Sequence, residues 1–202
     1  MDIGEHYGEL KVACEQVATK AYGERALIVR PGLIVGPNDA SGRFSYWPHR
    51  IARGGEVLAP GAPDAPTQVV DARDLAVWML DQIDAGTAGT FNAVSPPTTI
   101  GTVLDACTKV TGSDAQLRWA PDSFLREHDV GGWDEMPLWV SGPDAVGMTD
   151  VRPARVPSRP IEDTIADVLA SPPVAGGAAL TAGREAELLR QFGFGQPQSR
   201  EG

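Results

Sequence analysis

Apolar residues recur at helical spacing in several stretches of the chain. Between Glu5 and Tyr22, one face of a predicted helix carries Leu10, Ala13, Cys14, Val17, Ala18 and Ala21. Gly23 follows this stretch as a stop signal. The same kind of spacing predicts further helices over residues 44–53, 72–84, 100–110, 160–169 and 184–192.

Short apolar runs without alternation separate these helices. The clearest is Ala26–Val29, and a run of this kind is typical of a strand in a parallel sheet with both faces covered. Further strands are predicted at 56–58, 68–70, 89–94 and 117–119, and residues 59–66 form a proline-rich loop. The alternation of strand and helix predicts an α/β fold. It ends near Pro121, and residues 131–160 show no period.

Charge and hydropathy exclude two kinds of partner. The chain has 202 residues and a formal net charge of -10, whereas nucleic-acid-binding proteins usually present a basic face. No apolar run approaches the roughly 18–20 residues that span a bilayer. The residues before Tyr7 carry Asp2 and Glu5 and no basic segment, so no secretory signal is predicted. We expect a cytoplasmic protein without nucleic-acid or membrane partners.

The two cysteines and three histidines predict no metal site and no disulfide framework. Cys14 and Cys107 both fall on apolar faces of predicted helices, and the histidines are scattered along the chain. We interpret both cysteines as small, buried apolar residues in a reducing compartment.

Tyr7 and Lys11 form the sharpest chemical feature of the sequence. Residues four apart on a helix lie one above the other on the same face. A nearby ammonium favours the charged form of a phenol, which can then exchange a proton with a carbonyl or alcohol oxygen. The lysine can also hold the ribose hydroxyls of a nicotinamide cofactor. The alternative is a solvated pair on the first turn of a surface helix.

Two further motifs follow this pair in a fixed order. Residues 30–37 read Arg-Pro-Gly-Leu-Ile-Val-Gly-Pro after a predicted strand, and residues 71–76 read Asp-Ala-Arg-Asp-Leu-Ala at a helix start. Together the three motifs resemble the extended short-chain dehydrogenase/reductase family, whose members are often named NAD-dependent epimerase/dehydratases. The likeness runs from Glu5 to Cys107.

The resemblance implies roles for five residues around a nicotinamide cofactor, NAD or NADP. Tyr7 would be the catalytic acid/base, and Lys11 would tune it and bind the nicotinamide ribose. Pro31, Gly32 and Leu33 would lie beside the reactive end of the cofactor.

The resemblance also points to substrate contacts, for which we single out Arg43, Trp47 and Arg73. Tyr46 and Arg50 lie on the same predicted helix as Trp47 and are further candidates. The alternative for this helix is two packing aromatics and two solvated arginines, and for Arg73 a role at its helix start. The tryptophans at 47, 119, 133 and 139 either line an apolar pocket or belong to the core of a smaller domain.

The chain departs from the family pattern in three places. No glycine-rich turn of the kind that cradles a pyrophosphate occurs anywhere, and no Ser or Thr precedes Tyr7. Thr67-Gln68 stands where many nucleotide-sugar enzymes of the family carry Arg-Asp, so a diphosphate anchor is lacking. We interpret the chain as the C-terminal portion of such an enzyme, without its dinucleotide-binding half.

This interpretation predicts a domain organisation. Residues 1–36 would be a remnant of the dinucleotide-binding domain, an incomplete Rossmann-like parallel sheet to which residues 68–94 return. Residues 37–67 and 95–170 would form a smaller α+β substrate domain. Residues 171–202 would be a linker and a C-terminal helix.

The expected function is NAD(P)-dependent oxidoreduction or epimerisation at a secondary alcohol or carbonyl of a small molecule, poorly active in this chain alone. The alternative is a non-catalytic binding or interaction module derived from such an enzyme. Its open strand edges would pair with a second copy or with another chain. The sequence does not choose between NAD and NADP and does not identify the substrate.

Overall fold

The chain alternates helices and strands, as the apolar pattern predicts. The computed structural model describes residues 6–140 and 153–193. Its helices are α1 Tyr7–Tyr22, α2 Tyr46–Ala52, α3 Ala72–Asp84, α4 Ile100–Thr111, α5 Asp122–Glu127, α6 Ile161–Leu169 and α7 Ala182–Gln191. Its strands are β1 Leu27–Pro31, β2 Leu33–Val35, β3 Glu56–Pro60, β4 Pro66–Thr67, β5 Val69–Asp71, β6 Gly89–Val94, β7 Thr98–Thr99, β8 Gln116–Ala120 and β9 Pro153–Arg155.

The strands pair mainly in parallel, which confirms the predicted fold class. β6 lies between β1 and β9, and Leu27 of β1 is opposite Gly89 of β6. β2 pairs with β5 and β3 pairs with β8, also in parallel, whereas the short strands β4 and β7 are antiparallel. The result is a mixed α/β structure built from short parallel strand sets.

Gly32 separates β1 from β2 at the carboxyl end of β1. Its backbone N–H donates to the carbonyl of Ala93 at 3.3 Å. A Cβ atom at this position would lie 2.8 Å from Cγ1 of Val94, so only glycine allows the two backbones to approach this closely. The chain then leaves the pairing with β6 and continues as β2 beside β5.

The larger hydrophobic core lies among α2, β3, α4, β8, α6 and α7. Its fully buried side chains include Trp47, Leu58, Leu104, Ile165 and Leu188. A smaller core joins α3 to β5 and β6, where the rings of Trp78 and Phe91 meet edge to face with centroids 6.0 Å apart. The larger core also includes Leu188 and Leu189 of α7 and Val69 of β5, and the predicted division into domains stays a prediction.

Side-chain caps begin three of the helices at the positions that the sequence signals. The capping side chains and the backbone amides that donate to them are Asp71 with Arg73, Thr99 with Thr102 and Thr181 with Arg184. α4 ends at Gly112, which adopts the left-handed conformation that favours glycine.

The apolar face of α1 is exposed, contrary to prediction. α1 has no buried residue, and Val17 is 68% exposed. Cys14 is exposed as well, so its predicted burial is wrong, whereas Cys107 is buried as predicted. Leu27, Ile28 and Val29 of β1 are only half-buried instead of covered on both faces. In the described part of the chain β1 pairs with β6 alone and offers α1 little surface to pack on.

The elements that the sequence did not predict are short. They are β2, β4, β7, β9 and α5, which span too few residues to show a period. β3 runs on to Pro60 and β4 begins at Pro66, so both ends of the predicted loop are strand. Pro160 caps α6 instead of occupying its first turn. Among the described helices, none has the length and apolar character that a bilayer span requires.

Replacing Gly101 by Ala should lower the free energy of unfolding by about 1–3 kcal/mol. A Cβ atom at Gly101 in α4 would lie 2.6 Å from the carbonyl oxygen of Pro63, which is backbone and cannot turn aside. Urea denaturation measures the loss. Gly183→Ala in α7 is the matched control, since no atom lies within 4 Å of its added Cβ. The control should be neutral or stabilising by up to about 1 kcal/mol, and an equal loss in both variants would contradict the packing described here.

Candidate active site

Tyr7 and Lys11 line one groove between α1 and the β1–β2 segment, which we call the Tyr7 groove. It has a volume of about 770 Å³, and Pro31, Gly32 and Leu33 line it as well. The five residues predicted for acid/base chemistry and for the nicotinamide therefore lie around the same space. Tyr7 is 63% exposed, so its phenol is accessible to a ligand in this groove.

An exposed ion pair connects α1 to β1 along the Tyr7 groove. Arg30 donates from Nε and Nη2 to the two carboxylate oxygens of Glu15, at 2.8 and 2.6 Å. These hydrogen bonds lower the pKa of Glu15. The fork geometry orients the helix relative to the strand. The pair therefore links α1 to β1 beside the groove.

A second cavity, which we call the Trp pocket, adjoins the Tyr7 groove. It has a volume of about 540 Å³, and its lining residues are Gly32, Leu33, Gly61, Ala62, Ala65, Pro66, Thr67, Gln68, Val94, Ile100, Pro121, Asp122, Trp133, Leu138, Trp139 and Val140. Gly32 and Leu33 line both cavities. The two spaces therefore meet at the carboxyl end of β1, which is where parallel α/β sheets commonly bind ligands.

Arg43 and Trp47 lie behind the wall of the Trp pocket. The guanidinium of Arg43 lies 5.6 Å from the ring centroid of Trp133 and 3.6 Å from the carboxylate of Asp134. Trp47 is fully buried, and its Nε1 donates to the carbonyl of Pro137 at 2.9 Å. Both residues support the segment that carries Trp133, and their contact with a substrate stays a prediction.

Arg73 takes part in an ion-pair network at the start of α3. It donates from its backbone N–H, Nε and Nη2 to the carboxylate of Asp71 at 2.7–2.9 Å, and from Nη1 to Asp167 of α6. Thr164 of α6 donates to the same Asp71 carboxylate at 2.7 Å. The network fixes α6 to α3, and a substrate contact of Arg73 stays a prediction.

Asp74 extends this network on the first turn of α3. Arg159 donates to it from the backbone N–H, Nε and Nη2 at 2.7–3.0 Å. The Arg159 guanidinium also lies 3.7 Å from Asp71. The Asp-Ala-Arg-Asp motif therefore builds the junction of α3 with residues 159–167 in addition to capping the helix.

Asp71→Asn should lower the free energy of unfolding by about 2–3 kcal/mol at neutral pH. Burial raises the pKa of this carboxyl, but hydrogen bonds from Arg73 and Thr164 and the charge of Arg159 outweigh it and lower the pKa to about 2, from 3.8. A depressed carboxyl pKa stabilises the fold above the unfolded pKa, so the wild type loses this contribution as the pH falls from about 4 toward about 2.

Urea midpoints of wild type and variant across this pH range measure the effect. The difference between them should shrink steadily on acidification. Asp105→Asn, an exposed carboxyl on α4, is the control and should change stability little at any pH. A difference for Asp71→Asn that does not depend on pH would contradict the assigned charge network.

Arg50 belongs to a buried ion pair and is not a solvated arginine. Its Nε donates to Glu185 of α7 at 2.6 Å, and its Nη1 donates to the carbonyl of Gly54 at 3.1 Å. The other carboxylate oxygen of Glu185 accepts the backbone N–H of Leu58 at 3.1 Å. The pair joins α2, β3 and α7 and lies within the larger core.

The Trp pocket is the part of the site that was not predicted from the sequence. Trp133 and Trp139 line it, whereas Trp47 is in the core and Trp119 packs against the core. Trp133 and Leu138 adopt left-handed conformations, with φ of 63° and 66°. Left-handed conformations of residues other than glycine are sparsely populated and are found more often at functional sites. The sequence alone does not reveal them.

The groove suits one part of a dinucleotide and not the other. Lys11 and residues 31–33 line one space, in which the ammonium can donate to ribose hydroxyls. The chain offers no glycine-rich turn for the pyrophosphate. Among residues 6–140 and 153–193, no group of His, Cys, Asp or Glu side chains is arranged to hold a metal ion.

Comparison with known proteins shows the fold of the chain. No protein-family model matches the sequence, and no curated protein sequence matches it. Among solved structures, RMD from Pseudomonas aeruginosa complexed with NADPH matches with a TM-score of 0.50 and 16% identity, over 79% of this chain and 52% of that one. UDP-N-acetylglucosamine 4-epimerase from Bacillus cereus matches with a TM-score of 0.49 and 16% identity, over 80% and 52%.

UDP-glucuronic acid 4-epimerase from Bacillus cereus in complex with NAD matches with a TM-score of 0.48 and 12% identity, over 86% of this chain and 48% of that one. The chain thus spans about half the length of the structures that it matches. The chain has a mixed α/β fold. This fold corresponds to about half of the Rossmann-like RMD structure, which was solved with NADPH bound.

Proposed function

We propose that the chain is the acid/base and substrate-binding portion of an NAD(P)-dependent oxidoreductase or epimerase that acts at a secondary alcohol or carbonyl. The observation that supports it is the convergence of Tyr7, Lys11 and Gly32 on one groove that meets a small-molecule-sized pocket.

Each residue of the Tyr7 groove has a defined task in this proposal. Tyr7 exchanges a proton with the substrate oxygen, and the Lys11 ammonium donates to the ribose hydroxyls. The nicotinamide would lie beside residues 31–33, which line the same groove. When bound, the nicotinamide supplies or accepts the hydride.

We further propose that the pyrophosphate is held by a dinucleotide-binding half that packs against β1 and α1. In the described residues β1 is hydrogen-bonded to β6 only, so its other edge is available for a parallel neighbour. Val17 of α1 and Ile34 of β2 also expose apolar surface. The half-length match to NADPH-bound RMD supports this division.

Calorimetric titration of NADPH and NADH into this chain tests the division. We expect no saturable binding up to about 1 mM, because the phosphates carry much of the cofactor's binding contacts. A micromolar dissociation constant for the chain alone would overturn the claim that the pyrophosphate site lies outside it.

A non-catalytic interaction module is the second candidate function. Val77, Leu80 and Ile83 expose apolar surface on α3, in addition to the exposed face of α1. This candidate predicts concentration-dependent self-association in size-exclusion chromatography with light scattering, weakened by Leu80→Glu. A monomer at all concentrations would count against it.

A further inference from the structure

The lining of the Trp pocket fits an uncharged, mainly apolar molecule. Trp133, Leu138, Trp139, Ile100 and Val94 form its apolar walls, and its volume of about 540 Å³ lies in the range of small-molecule sites. We propose that it binds an uncharged ketone or secondary alcohol carrying one or two rings, and not a nucleoside-diphosphate sugar. This inference rests on the proposed function, since it names the substrate class of the same site.

The charges around the Trp pocket carry the argument. Among the described residues that line it there is no Lys, Arg or His, and the one carboxylate belongs to Asp122. This carboxylate already accepts a hydrogen bond from Nε1 of Trp139 at 3.0 Å and lies 3.9 Å from Arg126. A diphosphate in this pocket would lose its water without gaining a cation, which is costly.

Arg43, a cation that contacts Trp133, is not among the residues that line the pocket. The guanidinium of Arg43 lies against the ring of Trp133 and beside Asp134, at 5.6 and 3.6 Å. The charge of Arg43 is therefore already matched by Asp134 and the Trp133 ring. An uncharged ligand needs no cation in the pocket.

The aromatic wall is built in advance of any ligand. The backbone N–H of Trp133 donates to the carbonyl of Trp139 at 3.3 Å, and Nε1 of Trp47 donates to Pro137 between them. Trp133 and Leu138 adopt left-handed conformations that residues other than glycine rarely adopt, and the surrounding contacts hold them there. A preformed wall binds a flat ring with little further loss of entropy.

Neutral polar groups complete the pocket beside this wall. Thr67 and Gln68 line it, and both side chains can hydrogen-bond to a carbonyl or hydroxyl group. Gly32 and Leu33 form the boundary with the Tyr7 groove. A ring held against the tryptophans can therefore extend its oxygen across this boundary toward Tyr7.

Saturation-transfer NMR on this chain, without cofactor, tests the inference with 1-indanone and UDP-glucose as probes. We expect 1-indanone to bind with at least tenfold higher affinity than UDP-glucose. Trp133→Ala should weaken 1-indanone binding at least tenfold. Tyr22→Ala, which removes an exposed aromatic outside the pocket, should leave it unchanged.

Ala62→Trp provides a second variant that does not disturb the core. Ala62 lines the pocket and is exposed, so a large side chain there would fill the opening. It should also weaken 1-indanone binding at least tenfold. Binding that is unchanged in both pocket variants, tighter binding of UDP-glucose, or no binding of 1-indanone would each overturn the inference.

The test separates this inference from the proposed function. Ketone binding is measured without cofactor and involves no proton transfer, so its outcome does not depend on the acid/base role of Tyr7. Selective ketone binding supports the inference even if the acid/base role of Tyr7 fails. Conversely, tighter binding of UDP-glucose overturns the inference and leaves the role of Tyr7 intact.

Discussion

Replacing Tyr7 by Phe should lower the turnover number by about 10²–10⁴-fold in an extended chain. By extended chain we mean this chain fused behind the nucleotide-binding half of the NADPH-bound RMD structure that it matches over half its length. The substitution keeps the ring and removes only the hydroxyl that exchanges the proton. Consumption of NADPH with 1-indanone as substrate measures the effect.

Tyr22→Phe is the matched control for this prediction. It lies at the other end of α1 and is 61% exposed, close to the 63% of Tyr7. Its activity should equal that of the unmodified extended chain. Saturable NADPH binding by both variants shows that they are folded, and full activity of Tyr7→Phe would show that this phenol is not the proton donor.

Glu185→Ala should lower the free energy of unfolding by about 3–5 kcal/mol. The side chains of Arg50 and Glu185 are 9% and 5% exposed, so removing the carboxylate leaves a buried guanidinium without its charge partner. The substitution also leaves the N–H of Leu58 without its acceptor. Urea denaturation of this chain measures the loss.

Glu187→Ala removes a carboxylate two residues away on the same helix and serves as the control. Glu187 pairs with Arg184 at 3.4 Å on the surface, where an ion pair contributes at most about 1 kcal/mol. A loss at Glu185 no larger than the loss at Glu187 would contradict the structural role of the buried pair.

Local patterns were sufficient to predict most helices and strands. α4 shows why, since Thr99 caps it, Gly112 ends it and Val103, Leu104 and Cys107 fall on one face. β6 was predicted with its observed bounds, because Gly89 and the Ser-Pro-Pro after Val94 stop it on both sides. Each of these signals lies within a few residues of the element that it defines.

Burial could not be predicted in the same way. The sequence shows the apolar face of α1 clearly. Periodicity identifies such a face, but it does not show whether another part of the protein covers it, and in the structure α1 has no buried residue. The Arg50–Glu185 pair joins residues that are 135 positions apart, so no local pattern predicts it. From the sequence, Arg50 is therefore interpreted as a surface or substrate-binding residue.

The candidate site also has one part that local sequence signals predict and one part that depends on tertiary structure. The Tyr7–Lys11 spacing and the residues after β1 are local, and the structure gathers all five around one groove. The Trp pocket combines residues near 32, 65, 122 and 138, and its wall depends on left-handed residues that no propensity predicts. The substrate side of the site is therefore a product of tertiary structure.

The dissociation constant of NADPH for the extended chain carrying Lys11→Met tests the central claim most directly. Lys11 lines the groove that we propose receives the nicotinamide ribose. Lys20 lies in the last turn of the same helix. Loss of a charged hydrogen bond predicts affinity that is about 10-fold to 100-fold weaker for Lys11→Met and unchanged for Lys20→Met. Equal affinities in the two variants would contradict the assignment of the Tyr7 groove to the cofactor.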